Sequence, residues 1–274
     1  MPEPSQPALL AFLTLFTALA LSLWQQGKRS SLVIGGLSLL LALASGLMTF
    51  PALLLVTPGL LLLIPVQSKH PCLHAAALVI CGIWAFVTAL HLLPGFSTLE
   101  WMTDFGRNAD LTLRWHYDKG LAGLILLLAL GPFGPGKPSH WLLLLPACAA
   151  LPGLAMLAGL VSFDPRWQTG SAIWLAGNLF LTVFAEEAFF RGLLQGGLQK
   201  YLGQRIPHPV IVMLVALIFA LVHLPRGAVF AAMALLAGLL YGAMAGRTRA
   251  LPLAIAAHFL TNALFLLLTR SPLG

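Results

Sequence analysis

A polytopic, all-α transmembrane helix bundle of eight to ten spans is implied by three features of this chain. Of its 274 residues, 59% are hydrophobic and only 8% charged, far from the composition of a soluble domain. The apolar residues fall in long runs, and a crossing helix needs about 20 of them. Pro, Gly or charged residues break the runs, which lie at roughly 8–24, 32–49, 52–66, 73–93, 120–132, 141–161, 172–199, 209–223, 227–245 and 251–268.

Taken in order, the first run ends on Ala18-Leu19-Ala20, which is like a signal-peptide cleavage site. The residues before it carry Glu3 and no Lys or Arg, and the run continues to Trp24, so a span is expected instead. Pro51 marks either a new span or a kinked, re-entrant pair. The polar stretch 94–119 holds Trp101, Trp115 and Tyr117, residues that favour the membrane interface, and an interfacial helix is expected there. Leu111, Leu113, Trp115 and Leu121 make no clean stripe at helical spacing. Run 120–132 is short enough to insert only in part. The turn-rich Gly131-Pro132-Phe133-Gly134-Pro135-Gly136 then divides the chain. An N-terminal bundle of unassigned role, 1–140, is expected to precede a C-terminal core, 141–268. No internal repeat of the kind common in secondary transporters is visible.

The net charge of +7 does not indicate nucleic acid, because the basic residues are spread singly through the loops. Ten spans and an external N-terminus put Lys28, Arg29, Lys69, Lys137, Lys200, Arg205, Arg247 and Arg249 on one side. The short loops and tail of the other side hold Arg166, Arg226 and Arg270, and the long 94–119 segment adds Arg107, Arg114 and Lys119. Cys72, Cys81 and Cys148 form no Cys-x-x-Cys pair and read as buried small hydrophobes. His70, His74, His91, His116, His140 and His208 lie in loops or near run ends. The spacing of His70 and His74 suits a metal, but Pro71 interrupts it and no carboxylate is local, so the pair reads as interfacial.

The chemistry lies in the last third. Glu186-Glu187-Ala188-Phe189-Phe190-Arg191 puts three ionisable groups inside an apolar run. Each charge near the bilayer centre costs at least ~2.5–3.5 kcal/mol, so such a cluster is a functional-site hypothesis by default. Adjacent helical residues point about 100° apart, which gives the two glutamates different roles. Arg191 is four residues from Glu187 and within ion-pair reach on a helix. Glu186 is then left as a partly desolvated general base for water. Phe219 and His223 share a helical face, and a histidine can orient or deprotonate water and return a proton to a leaving amine. His258 and Asn262 share another face, where an imidazole N–H and an amide can donate to a developing oxyanion. Packing between helices would be a plainer use of these groups, but buried pairs stabilise no better than apolar substitutes.

Glu-Glu-x-x-x-Arg, Phe-x-x-x-His and His-x-x-x-Asn, in this order on separate apolar runs, resemble the CPBP family. That family comprises the type II CAAX prenyl endopeptidases and the bacterial Abi-like intramembrane proteases, and the resemblance covers roughly 141–268. Phe190-Arg191-Gly192 is also in the form that family shows. The resemblance implies an integral, multi-pass intramembrane endopeptidase, in the cell inner membrane if the host is bacterial. Its catalytic residues would be Glu186, His223, His258 and Asn262, supported by Glu187, Arg191 and Phe219. The implied substrate is a membrane-anchored protein or peptide in the lipid bilayer, with a CAAX-like or a C-terminal sorting tail. The first 140 residues match no family element, and Leu113 to Gly120 look more like the bacterial sorting-tail variants.

A glutamate-dependent mechanism without cofactor is favoured. The alternative is a zinc site of Glu186, His223 and His258 with an open position, although there is no His-Glu-x-x-His element and Asn262 suits an oxyanion better than zinc. From a different class, a non-catalytic membrane binding or transport protein would use the same polar residues to hold a ligand.

Overall fold

The computed structural model describes residues 4–105, 111–131, 133–246 and 250–270. Glu3, Arg107, Arg247 and Arg249 of the charge argument, and Pro132 of the break, lie outside them. Each of the ten apolar runs is helical. In order these are α1 (Gln6–Ser22), α2 (Lys28–Ala44), α3 (Phe50–Leu61), α4 (Pro71–Ala89), α5 (Tyr117–Leu130) and α6 (Pro138–Leu157). The long helix Ser171–Leu202 follows, made of α7 (Ser171–Gly177), α8 (Phe184–Glu187) and α9 (Gly196–Leu202) with π-helical turns between them. The last are α10 (His208–His223), α11 (Ala228–Ala245) and α12 (Leu251–Leu268).

Proline begins several of these helices, where its missing N–H is no loss. Pro51 is one of them. It starts α3, whose first turn is capped by the Thr49 side chain accepting from the Ala52 N–H, so the Pro51 break is a helix start.

Among the described residues, seven helices are long and apolar enough to cross a membrane, fewer than the eight to ten expected. They are Phe50–Gln67, Pro71–Ala89, Pro138–Leu157, Ser171–Leu202, His208–Arg226, Ala228–Ala245 and Leu251–Leu268. With 17, 17 and 14 residues, α1, α2 and α5 are shorter. Large apolar side chains stand outward on the long helices. Leu142 and Leu157 are 82% and 87% exposed, an arrangement suited to hydrocarbon rather than water.

The chain forms two compact units, Met1–Pro132 with Ala172–Phe189, and Phe133–Ser171 with Phe190–Gly274. In the first, α5 is a core helix with most of its residues buried, and Lys28 donates from Nζ to the carbonyls of Leu128 and Gly131 at its C-terminal end. Tyr117 Oη and Ser38 Oγ share a buried hydrogen bond of 2.8 Å. In the second, α10 packs on α11, and α12 on α6 and α11. A short pairing of β3 (Ser162–Phe163) with β4 (Thr269–Arg270) closes one edge.

The expected interfacial helix in 94–119 is instead an antiparallel hairpin, β1 (Thr98–Phe105) with β2 (Leu111–His116). Its cause lies in the alternation along β2. Leu113 and Trp115 point inward and are buried, while Arg114 points out and pairs across the strands with Glu100 at 2.7 Å. That exposed pair stabilises by at most about 1 kcal/mol. The apolar face of the hairpin does more. Trp115 packs edge-on against Phe12, Phe16 and Trp101, and its Nε1–H donates to the Ile173 carbonyl at 3.1 Å.

Candidate functional site

Glu186 and Glu187 stand on the single α-helical turn α8, with π-helical turns Asn178–Val183 before it and Ala188–Gln195 after it. Such widened turns are rare and concentrate at functional positions. Within α8 the two carboxylates diverge as neighbours on an α-helix must. Glu187 is fully buried and Glu186 half-buried. Beyond Ala188 the 3.6-residue repeat no longer applies, so spacing alone does not set the face of Arg191.

Glu186 Oε1 accepts a hydrogen bond from Lys119 Nζ at 2.9 Å, with side chains 17% and 21% exposed. Lys119 comes from the first turn of α5, which approaches α8 closely. A Cβ at Gly123 would lie 2.9 Å from the Ala185 Cα and 3.1 Å from its N. Gly123→Val is therefore expected to destabilise the protein by about 1–3 kcal/mol through overpacking. Thermal unfolding in detergent reads this, and an unchanged melting temperature would show that α5 has room to move.

A second polar group lies in the same unit. His91 Nδ1–H donates to Asp118 Oδ2 at 2.8 Å, and the His91 and His116 rings are 4.1 Å apart. Burial, more than the neighbouring His91, holds His116 below the usual imidazole range, while Asp118 opposes both.

In the second unit, Phe219 is the hub. The Arg191 guanidinium lies 4.8 Å from its ring and 5.4 Å from that of Tyr241, and donates to the Gly238 carbonyl at 3.0 Å. A desolvated cation over such rings is held by up to about 2 kcal/mol. His223 stands one turn after Phe219, with ring centroids 4.4 Å apart, and its Nδ1–H donates to the Phe219 carbonyl at 2.7 Å. That bond leaves Nε2 as the basic nitrogen. His258 is buried edge-on to Phe219 and stacked on Tyr241 at 4.5 Å. Asn262 lies one turn further along α12 and is half-buried. Gln195 adds a buried amide that donates to the Gly242 carbonyl.

Of the residues expected from sequence, Phe219 thus gathers Arg191, His223 and His258. Glu186 and Glu187 belong to the first unit, where Glu186 pairs with Lys119. Tyr241 and Lys119 were missed. The signal for Lys119 was a charged Tyr117-Asp118-Lys119-Gly120 run opening an apolar helix. For Tyr241 it was one aromatic among the small residues Gly238, Ala243 and Gly242.

Seven apolar helices of membrane-crossing length among the described residues make this an integral membrane protein, and ionisable side chains at such positions are a functional-site hypothesis. Residues 167–264 match the family described as Type II CAAX prenyl endopeptidase Rce1-like, the resemblance read from the three motifs, and this supports protease activity. All three motifs fall inside the match. No curated protein and no solved structure matches the chain.

Proposed function

We propose that the chain is an intramembrane endopeptidase that hydrolyses a peptide bond in a membrane-tethered protein. The observation that carries this is the Rce1-like match over 167–264, which contains Glu186, His223, His258 and Asn262. In this reading 141–268 is the catalytic core, and the N-terminal residues 1–140 contribute Lys119 to it.

Glu186 takes a proton from water, with His223 Nε2 assisting, and the water oxygen attacks the scissile carbonyl carbon. His258 and Asn262 donate to the oxyanion that forms. Collapse breaks the C–N bond, and the proton taken from water goes to the leaving amine. Support for these roles comes from the tautomer that the Phe219 carbonyl selects at His223, and from the 2.9 Å bond by which Lys119 Nζ positions Glu186. We keep the metal-free form of this mechanism, because Asn262 completes an oxyanion set better than a zinc set.

A helical backbone shields its own carbonyls, so the substrate presents an unwound stretch at membrane depth, near a CAAX-like or sorting tail. Mass spectrometry of peptide ends in membranes carrying the wild-type protein or Glu186→Gln tests this. Termini lost in the variant are expected in tethered proteins. If they come from soluble proteins without tail or lipid anchor, the substrate reading is wrong. Ligand-dependent flux without any cleavage would favour a transporter.

A further inference from the structure

We propose that His91, His116 and Asp118 form a binding site for a divalent transition-metal ion of the zinc type, outside the catalytic residues. One ligand atom from each of the three lies within 4.8 Å of the other two, and among the described residues no other such group occurs. Two imidazoles and one carboxylate are a common donor set for zinc, with a fourth tetrahedral position left for water or a carboxylate.

The three residues come from separate elements held in place by the fold. His91 follows the end of α4, His116 ends β2, and Asp118 lies in the first turn of α5. His91 adopts φ 60° where the chain leaves α4, with its N–H bonded to the Thr88 carbonyl. Glycine or asparagine takes this left-handed position at least strain. A histidine there aims an imidazole at Asp118, and a side chain held in so sparsely populated a conformation is a sign of use.

Asp118 is buried, with its side chain 5% exposed, and Oδ1 accepts the Lys119 N–H at 2.8 Å. That bond orients Oδ2 toward His91, as outer hydrogen bonds orient ligating carboxylates. His91 is 41% exposed, which gives an ion a way in. Binding replaces the Nδ1 proton between His91 and Asp118, now 2.8 Å apart; as it leaves Nδ1, Nε2 takes up a proton from solvent, so the imidazole binds as a neutral ligand. The two atoms then separate to the ~3.3 Å edge set by bonds of about 2.0–2.1 Å.

Full-length protein in detergent, stripped with chelator, would be titrated with cobalt(II), read by its ligand-field absorption, and then with competing zinc(II). One ion per chain is expected in the wild type and in His223→Ala and His258→Ala. His91→Asn, which keeps the left-handed preference, and His116→Ala are expected to bind at least about 10-fold more weakly. Should His116→Ala aggregate, the exposed His91 position decides alone. No ion in the wild type, or undiminished binding in His91→Asn, would mean that the cluster is a hydrogen-bonded pair with a stacked ring. A second ion lost in His223→Ala or His258→Ala would overturn the metal-free mechanism while leaving this site in place.

Discussion

Glu186→Gln is expected to remain inserted and folded and to lose cleavage by about 10²–10⁴-fold, the contribution of a general base. The substitution is close to isosteric, and the amide oxygen can still accept from Lys119 Nζ, which now lies 2.9 Å from Oε1. What it removes is the capacity to take a proton from water. His223→Ala is expected to fall in the same range, because it deletes the Nε2 left basic by the bond from Nδ1 to the Phe219 carbonyl. Purified variants assayed on one tethered substrate decide both. Glu186→Gln activity within about 10-fold of wild type would remove Glu186 from the chemistry, since loss of a base costs at least ~10². In His91→Asn, which lacks the proposed metal site, chelator is expected to leave cleavage unchanged.

Much of the fold was legible because bilayer spans declare themselves by length and apolarity. All ten runs became helices, and length alone left the span count open. α5 has 14 residues, most of them buried in its own unit, so its hydrophobicity did not by itself say whether it crosses. The segment before it was misread. Leu111, Leu113 and Trp115 recur every second residue, the period of a strand, and failing to fit a helical stripe was itself the evidence. The motifs on α10 and α12 were legible from spacing, since those helices keep the α repeat. The stretch around Glu186 was less so. No residue type announces the π-helical turns on either side of α8. His91, His116 and Asp118 were separately visible, the two histidines in loops or near run ends, but only the turn after α4 and the hairpin bring the three together.

Lys119→Met is expected to destabilise the protein by about 1–3 kcal/mol, because it removes the ammonium that donates to the part-buried Glu186 carboxylate. The partners are only 21% and 17% exposed, so water compensates little. Lys119→Arg keeps the charge and is expected to recover most of the loss. The double variant Lys119→Met/Glu186→Gln removes both charges and is expected to be less destabilised than the sum of the single changes, with a coupling of about 0.5–3 kcal/mol. Thermal or denaturant unfolding in one detergent measures all four proteins. Cleavage separates positioning from simple stability, since a displaced base loses on the order of 10²-fold in rate even in folded protein. Lys119→Met assayed well below its melting temperature should show that loss, and Lys119→Arg should not. If the single effects simply add and folded Lys119→Met cleaves at the wild-type rate, the contact between α5 and Glu186 is a surface ion pair with no part in the reaction.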